Sequence, residues 1–502
     1  MTSAPTDLHD EPKPALKAFG GTYWMCNVIE MWERLAYYTL RPIAAIYIMQ
    51  ADDPGGLHLT AEHKGWIFLW WFIFQSLFPM VTGGYADRYG YKRVIALALS
   101  LNFVGYVLMA AVHSYYGFFA GVAVLAIGTA FFKPGLQGTI AHSLTKSTSS
   151  MGWGIFYWIV NVGSYIGHLI SPLLLGDPHT VGGWSVMFLA CAGFTVLNLI
   201  TLIWFPDIPT GGEKKSSPFE VFANTIRNIV EPRLIVWLLI MSCFWMMMYQ
   251  LWDLQPNFIE DWVNTSMIAE HVPFDTWQEV GPDGTLRVPQ QIMISLNALL
   301  IVILIVPVSW AVRKMRTLSA MFFGMLCATL GVLVAGLTGN GWMVLLGITL
   351  FSLGEMLTGP KKNEYLGLIA PPGKKGLYLG YVNIPIGIGG GVGNYISGKV
   401  YGHYGEKATL ALKYLSEKLN IGQTWNGDIG TLEQSVGVPR TEAFAKLQEI
   451  LGVSGPEATE ILWKTYDPQY ATWIPFAATG VVAAIALAIF GQMAKRWKDM
   501  NA

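Results

Sequence analysis

The sequence predicts an all-α membrane protein of twelve transmembrane helices in two pseudo-symmetric six-helix bundles. Three observations carry this. Hydrophobic residues make up 53% of the 502 residues and charged ones only 13%, too evenly apolar a balance for a soluble multidomain chain. Apolar runs long enough to cross a bilayer recur six times on each side of one polar linker. Basic residues collect in alternate connections, so spans that alternate in direction put them all on one side.

Taken in order, residues 1–18 are Pro-rich and mixed in charge, lack an apolar core or cleavage site, and read as a cytoplasmic tail and not a signal peptide. The N-terminal bundle, 19–205, holds apolar runs at about 22–49, 64–86, 92–113, 115–142, 150–175 and 183–205. Residues 206–232 form a cytoplasmic linker. The C-terminal bundle, 233–498, holds runs at about 233–260, 290–312, 318–337, 341–370, 375–400 and 470–494. Within it, 401–468 is too polar to span. Apolar periodicity at 410–419, 444–451 and 461–463, with Ser454 and Pro456 at a helix start, predicts a helical insertion outside the membrane with a structural or lid role. Lys and Arg cluster at 88–93, 313–316 and 374–375, at Lys214 and Lys215 in the linker, and at Lys495, Arg496 and Lys498, which predicts that both termini are cytoplasmic. The opposite loops lean acidic, as at Asp52, Asp53, Asp261, Glu270, Asp275, Glu279 and Asp283.

Charge and cysteine usage exclude several functions. Lys and Arg total 32 against 33 Asp and Glu, which argues against a nucleic-acid surface. Cys26, Cys191, Cys243 and Cys327 all lie inside apolar runs without zinc spacing, so neither a disulfide framework nor a metal is expected. No nucleophile and base pair stands out, so an enzyme is not expected.

The first span carries the strongest functional signal. On a helix advancing about 100° per residue, Tyr23, Asn27, Glu30, Glu33, Arg34, Tyr37 and Arg41 share an arc of roughly 120°, leaving Trp32, Leu35, Ala36 and Thr39 for lipid or neighbouring helices. An ionisable group at the bilayer centre costs about 3 kcal/mol on insertion scales, so four on one stripe predict a water-filled cavity or paired charges. Lys133 in the fourth span needs an anion for the same reason, and Glu355 of the tenth span or a substrate carboxylate can supply it. Competition between those two would couple binding to gate opening. Asp253, about two turns beyond Trp245 in the outward-running seventh span, falls near the depth of Arg41, and the two are expected to pair when the outer ends of the bundles meet. The glycine run 387–393 reads as close helix packing.

The loop Gly83-Gly84-Tyr85-Ala86-Asp87-Arg88-Tyr89-Gly90-Tyr91-Lys92-Arg93 permits a tight turn, and its Asp87 and Arg88 can latch helix ends in one state and release them in another. It resembles the signature loop of the major facilitator superfamily. Glu30-Met31-Trp32-Glu33-Arg34-Leu35-Ala36-Tyr37-Tyr38 is similar to the ExxER(F)xYY motif of the proton-dependent oligopeptide transporter family, with Leu35 where that family usually has Phe. Phe132-Lys133-Pro134, the stretch Phe156-Tyr157 to Asn161-Val162-Gly163-Ser164, and Gly354-Glu355 with Pro360 resemble further segments of that family. The chain departs from it at Met248 and Tyr249, where an acid is common, at Lys361, Lys362, Asn363 and Glu364, and near Gly380, where a Trp-Phe pair is missing.

The resemblance implies a major facilitator fold whose two bundles rock about a midplane site, and proton-coupled import of di- and tripeptides across the plasma (inner) membrane. It implies no cofactor, the proton gradient as energy source, and function as a monomer. Glu30, Glu33 and Arg34 would couple protons. Lys133 with Arg34 or Arg41 would meet the peptide carboxylate and Glu355 the amino end, with Tyr37, Asn161, Trp245 and Asn297 lining the site. Arg41 with Asp253, Lys133 with Glu355, and Asp87 with Arg88 would serve as gates. The altered seventh, tenth and eleventh spans leave room for another small zwitterion or anion as substrate, and a peptide-binding receptor without transport is the reading from another class.

Overall fold

The computed structural model describes residues 16–145, 148–175, 180–206, 229, 231–281, 285–370 and 375–496. The predicted N-terminal tail up to residue 15, nearly all of the linker with Lys214 and Lys215, and Lys374 and Lys498 lie outside them. Helices occupy all twelve predicted spans. In the first bundle these are Gly21–Leu40 with Ala44–Met49, Ala61–Leu77 with Pro79–Tyr89, Tyr91–Ala111, Tyr115–Ser143, Ser149–Leu174 and Val181–Thr201. In the second they are Pro232–Met248 with Gln250–Asp253 and Gln255–Trp262, then Gln290–Ala311, Thr317–Gly336, Gly341–Ile369, Lys375–Gly380 with Asn383–Tyr404, and Pro468–Arg496. We refer to them as spans 1 to 12.

Proline explains several interruptions. Pro42 has no N–H to continue the ladder of span 1, and its carbonyl accepts instead from Gln290 Nε2 of span 8 at 3.1 Å, so a break in one bundle becomes a contact with the other. Pro79 starts the second half of span 2, and Pro256 sits in the first turn of the outer part of span 7. Among the described residues, nine helices are long and apolar enough to cross a membrane by length and hydropathy alone. Spans 1, 5 and 11 fall outside that set. They carry Glu30, Glu33 and Arg34, then Asn161 and His168, then the glycine run.

The bundles join along two seams. Span 2 packs against span 11 and span 5 against span 8. In the first seam a Cβ on Gly65 would lie 2.8 Å from the carbonyl oxygen of Asn394, and one on Gly398 would lie 2.5 Å from that of Ala61, so only glycine permits this approach. The seam continues down to Gly387 beside Leu77. Beyond that point the chains part: Pro79–Tyr89 packs on spans 3 and 4, and Lys375–Gly380 on span 10. The bundles are therefore closed together at the end that the charge pattern assigns to the outside.

The insertion starts after Tyr404, slightly later than predicted, because span 11 runs on to that residue. It contains the helices Lys407–Glu417, Leu432–Val436, Ala443–Leu451 and Gly455–Tyr466 around a small core of Leu410, Leu412, Leu415, Leu447 and Leu462. Ser454 and Glu457 form a capping box at the last of these, and the bonds from Ser454 hold the exposed Glu457 carboxyl below its ordinary pKa. The loop between spans 7 and 8 holds a two-stranded antiparallel hairpin, Glu279–Val280 with Leu286–Arg287, which the sequence pattern did not predict.

Candidate functional site

Three clusters of charge stand between the bundles. The first lies on span 1. Arg34 is ion-paired with Glu33, and its Nε lies 3.2 Å from Glu30 Oε1. All three side chains are at most 7% exposed. One helical turn separates Glu30 from Arg34, which is why a single guanidinium reaches both carboxylates. The Arg34 guanidinium also lies 5.0 Å from the Tyr37 ring, whose hydroxyl donates to Gln75 Oε1 of span 2 at 3.0 Å. Lys133 of span 4 has Arg34, Glu33 and Glu30 as its charged neighbours.

The second cluster lies on the opposite bundle. Asn297 Nδ2 of span 8 donates to Glu355 Oε2 of span 10 and to Ser352 Oγ, both at 3.0 Å. Lys362, two turns beyond Glu355 on the same helix face, places its ammonium 4.1 Å from the centre of the Trp245 ring. Asn161 of span 5 donates to its own helix at the Tyr157 carbonyl, 2.9 Å away.

The third cluster closes the outer end. Arg41 and Asp253 form a buried ion pair between spans 1 and 7. Asn394 Nδ2 of span 11 donates to the other Asp253 oxygen at 2.5 Å. Lys64 of span 2, fully buried, donates to the Asp253 carbonyl and to Asn257 Oδ1, both at 2.8 Å. The Arg41 guanidinium packs over Phe68 at 4.3 Å and Trp71 at 4.7 Å, so its flat faces are covered as well. Above this layer, Gln50 donates to Asp261 at 2.9 Å and Tyr401 donates to it at 2.5 Å. Arg440 of the insertion pairs with Glu406 and donates to the carbonyls of Met49, His58 and Leu59 in the other bundle at 3.1, 2.6 and 2.8 Å.

Set against the expectations, the structure brings Arg41 and Asp253 together, and Glu30 and Glu33 onto Arg34. It does not bring Lys133 to Glu355: among the described residues neither takes part in an ion pair within 4 Å, and Glu355 Oε2 instead accepts from Asn297. Nor do Arg34 and Arg41 offer free guanidinium groups to a substrate carboxylate, since the first is held by two acids and the second by Asp253. Of the three cations expected there, Lys133 alone makes no ion pair within 4 Å among the described residues. Arg88 is exposed with its guanidinium near the Tyr89 ring, and the side chain of its expected partner Asp87 lies outside the described residues. Lys361 pairs with Glu364 at 2.8 Å, on the face turned toward Thr317. Sequence reasoning missed Lys64, which sits at the very start of an apolar run and reads as an outer-end anchor, and Arg440, whose partners in the other bundle are backbone carbonyls that leave no sequence signal.

Comparison with known proteins agrees with this architecture. The chain is 30% identical over 211 residues to "Dipeptide and tripeptide permease A" of Proteus mirabilis (strain HI4320), covering 41% of each chain. It is 26% identical over 252 residues to the "Di-/tripeptide transporter" of Lactococcus lactis subsp. cremoris, covering 49% of each. These alignments span less than half the length of either relative. A solved structure of a peptide transporter of the POT family in complex with sulfate superposes with a TM-score of 0.66 over 97% of this chain and 96% of that one, at 16% identity, a likeness of fold. Residues 31–394 match the profile of the Major Facilitator Superfamily, and the chain, an integral membrane protein, belongs to that superfamily.

Proposed function

We propose that the chain is a proton-coupled symporter of the oligopeptide transporter type, importing di- and tripeptides by alternating access. The observation that carries this is the opposition of a proton-exchangeable cluster with a cation, Glu30, Glu33, Arg34 and Lys133, to an acid held by an amide, Glu355 on Asn297, beneath a closed outer layer. A zwitterion spanning that gap would place its carboxylate on Lys133 and its ammonium at Glu355, with Tyr37, Asn161 and Trp245 along its sides. Named relatives that carry di- and tripeptides support the same reading.

In this reading the cycle uses three changes of partner. Protonation of Glu30 or Glu33 frees Arg34 from one acid. Substrate replaces the missing charge at Lys133. Separation of Arg41 from Asp253 then opens the outer side, and re-pairing closes it with the site facing the cytoplasm. The energy comes from the proton gradient, both termini face the cytoplasm, the membrane is the plasma or inner membrane, and one copy of the chain suffices. Labelled dipeptide uptake into proteoliposomes, with and without an inward proton gradient, tests this. Accumulation only with the gradient is expected, and binding without uptake under either condition would turn the reading to a receptor.

A further inference from the structure

Spans 4 and 10 occupy equivalent places in the two bundles and share a register. Each helix is 29 residues long, Gly128 and Gly354 each stand thirteen residues after the first residue, and Pro134 and Pro360 each stand nineteen after it. Lys133 directly precedes its proline and Lys362 follows the other by two. The two ammonium groups thus arise within about one helical turn of the same depth on opposite bundles, and Lys362 has Glu355 and then Lys133 as its charged neighbours. Among the described residues neither has an ion-pair partner within 4 Å, and Lys362 rests on the face of Trp245. An ammonium at such depth is costly without an anion.

A neutral dipeptide does not resolve this arrangement. Its carboxylate serves Lys133, but its ammonium has to share Glu355 with Lys362, which stands two turns away on the same helix face. A second carboxylate on the ligand removes the conflict, since each charge of ligand and wall then has its own partner. Resting on the peptide reading above, we propose that the cavity selects peptides with an acidic side chain, which pairs with Lys362 while the terminal carboxylate and ammonium take Lys133 and Glu355.

The experiment is a panel of Ala-Ala, Ala-Glu, Ala-Lys and the non-peptide dicarboxylate glutarate, titrated against the purified full chain by thermal shift, in which a ligand that binds only the folded state raises the transition. Ala-Glu is expected to bind about tenfold more tightly than Ala-Ala, and Ala-Lys more weakly than both. In Lys362→Gln the ratio of Ala-Glu to Ala-Ala affinity should fall to about one, and Lys362→Arg should keep it. Should Lys362→Gln fail to fold, the wild-type ratio and the Arg variant decide alone. Ala-Glu binding no tighter than Ala-Ala, or a ratio unchanged in Lys362→Gln, overturns the proposal while leaving peptide transport standing. Binding of glutarate with no dipeptide bound, lost in Lys362→Gln, leaves the second-anion site standing and removes peptides as the substrate. Binding of neither class removes both.

Discussion

At the outer layer Asp253 receives both Arg41 and Asn394, and Lys64, buried without a carboxylate in ion-pair contact, donates to a carbonyl and an amide oxygen. Between the bundles, Lys133 and Lys362 make no ion pair within 4 Å among the described residues, Lys362 lies on a tryptophan ring, and Glu355 accepts from a neutral amide. The same kinds of residue are complete in one place and incomplete in the other. Completed charges hold a conformation. Incomplete ones leave room for something that arrives and leaves, and in the reading proposed above this difference separates gate from binding site more sharply than residue type does.

The largest effect expected is at Glu30 and Glu33, which share Arg34 as their partner. Changing either to Gln fixes it in a neutral form, so gradient-driven accumulation should be abolished while substrate counterflow stays measurable. Undiminished accumulation in both variants would move the proton site elsewhere. On the complete side, Asp253→Asn leaves Arg41 and Lys64 buried beside a neutral group, and removing one partner of a buried pair costs about 3–5 kcal/mol. Cysteines placed along the outer part of span 2 should then react with a membrane-impermeant reagent, as in an outward-open protein. The double change Arg41→Asp with Asp253→Arg should recover closure only in part, because Lys64 would then face Arg at 253. Adding Lys64→Met should improve it. A swap no better than either single change would show that these residues do not form the gate.

Two smaller effects sharpen the contrast. Lys133→Ala should weaken peptides with a free C-terminus by about tenfold or more, and their C-terminal amides far less, as read in competition for uptake. Equal losses would make Lys133 structural. Arg440→Ala removes donors to three carbonyls and a carboxylate, each charge-assisted bond contributing about 1.5–3 kcal/mol at most, yet leaves the Arg41 layer intact. A modest gain in outer accessibility, well short of that in Asp253→Asn, is therefore the expected outcome.

The spans were legible in the sequence because length and hydropathy decide them, and the four-charge stripe on span 1 was legible because helical periodicity places its members on one arc. Depth along spans 1 and 7, which both run outward, was enough to suggest that Arg41 could reach Asp253. What could not be read was separation. Lys133 and Glu355 lie at compatible depths in opposite bundles, but depth carries no information about lateral distance, and the partner found at Glu355 is Asn297. Lys64 was obscured by a different cause: its burial depends on Gly65 and Gly398 letting spans 2 and 11 come together, a property of the pair of helices and not of either alone.

Arg440 belongs to the insertion of one bundle but grips the other only through the carbonyl oxygens of Met49, His58 and Leu59. Such a clasp depends on the course of the main chain and is indifferent to the side chains it passes. Within 49–59 the exposed position Pro54 can therefore carry a reporter dye with the clasp preserved, whereas deleting a residue between Met49 and His58 would shift the carbonyls relative to one another. This makes the segment a suitable place for a fluorophore that follows the opening of the outer face during turnover.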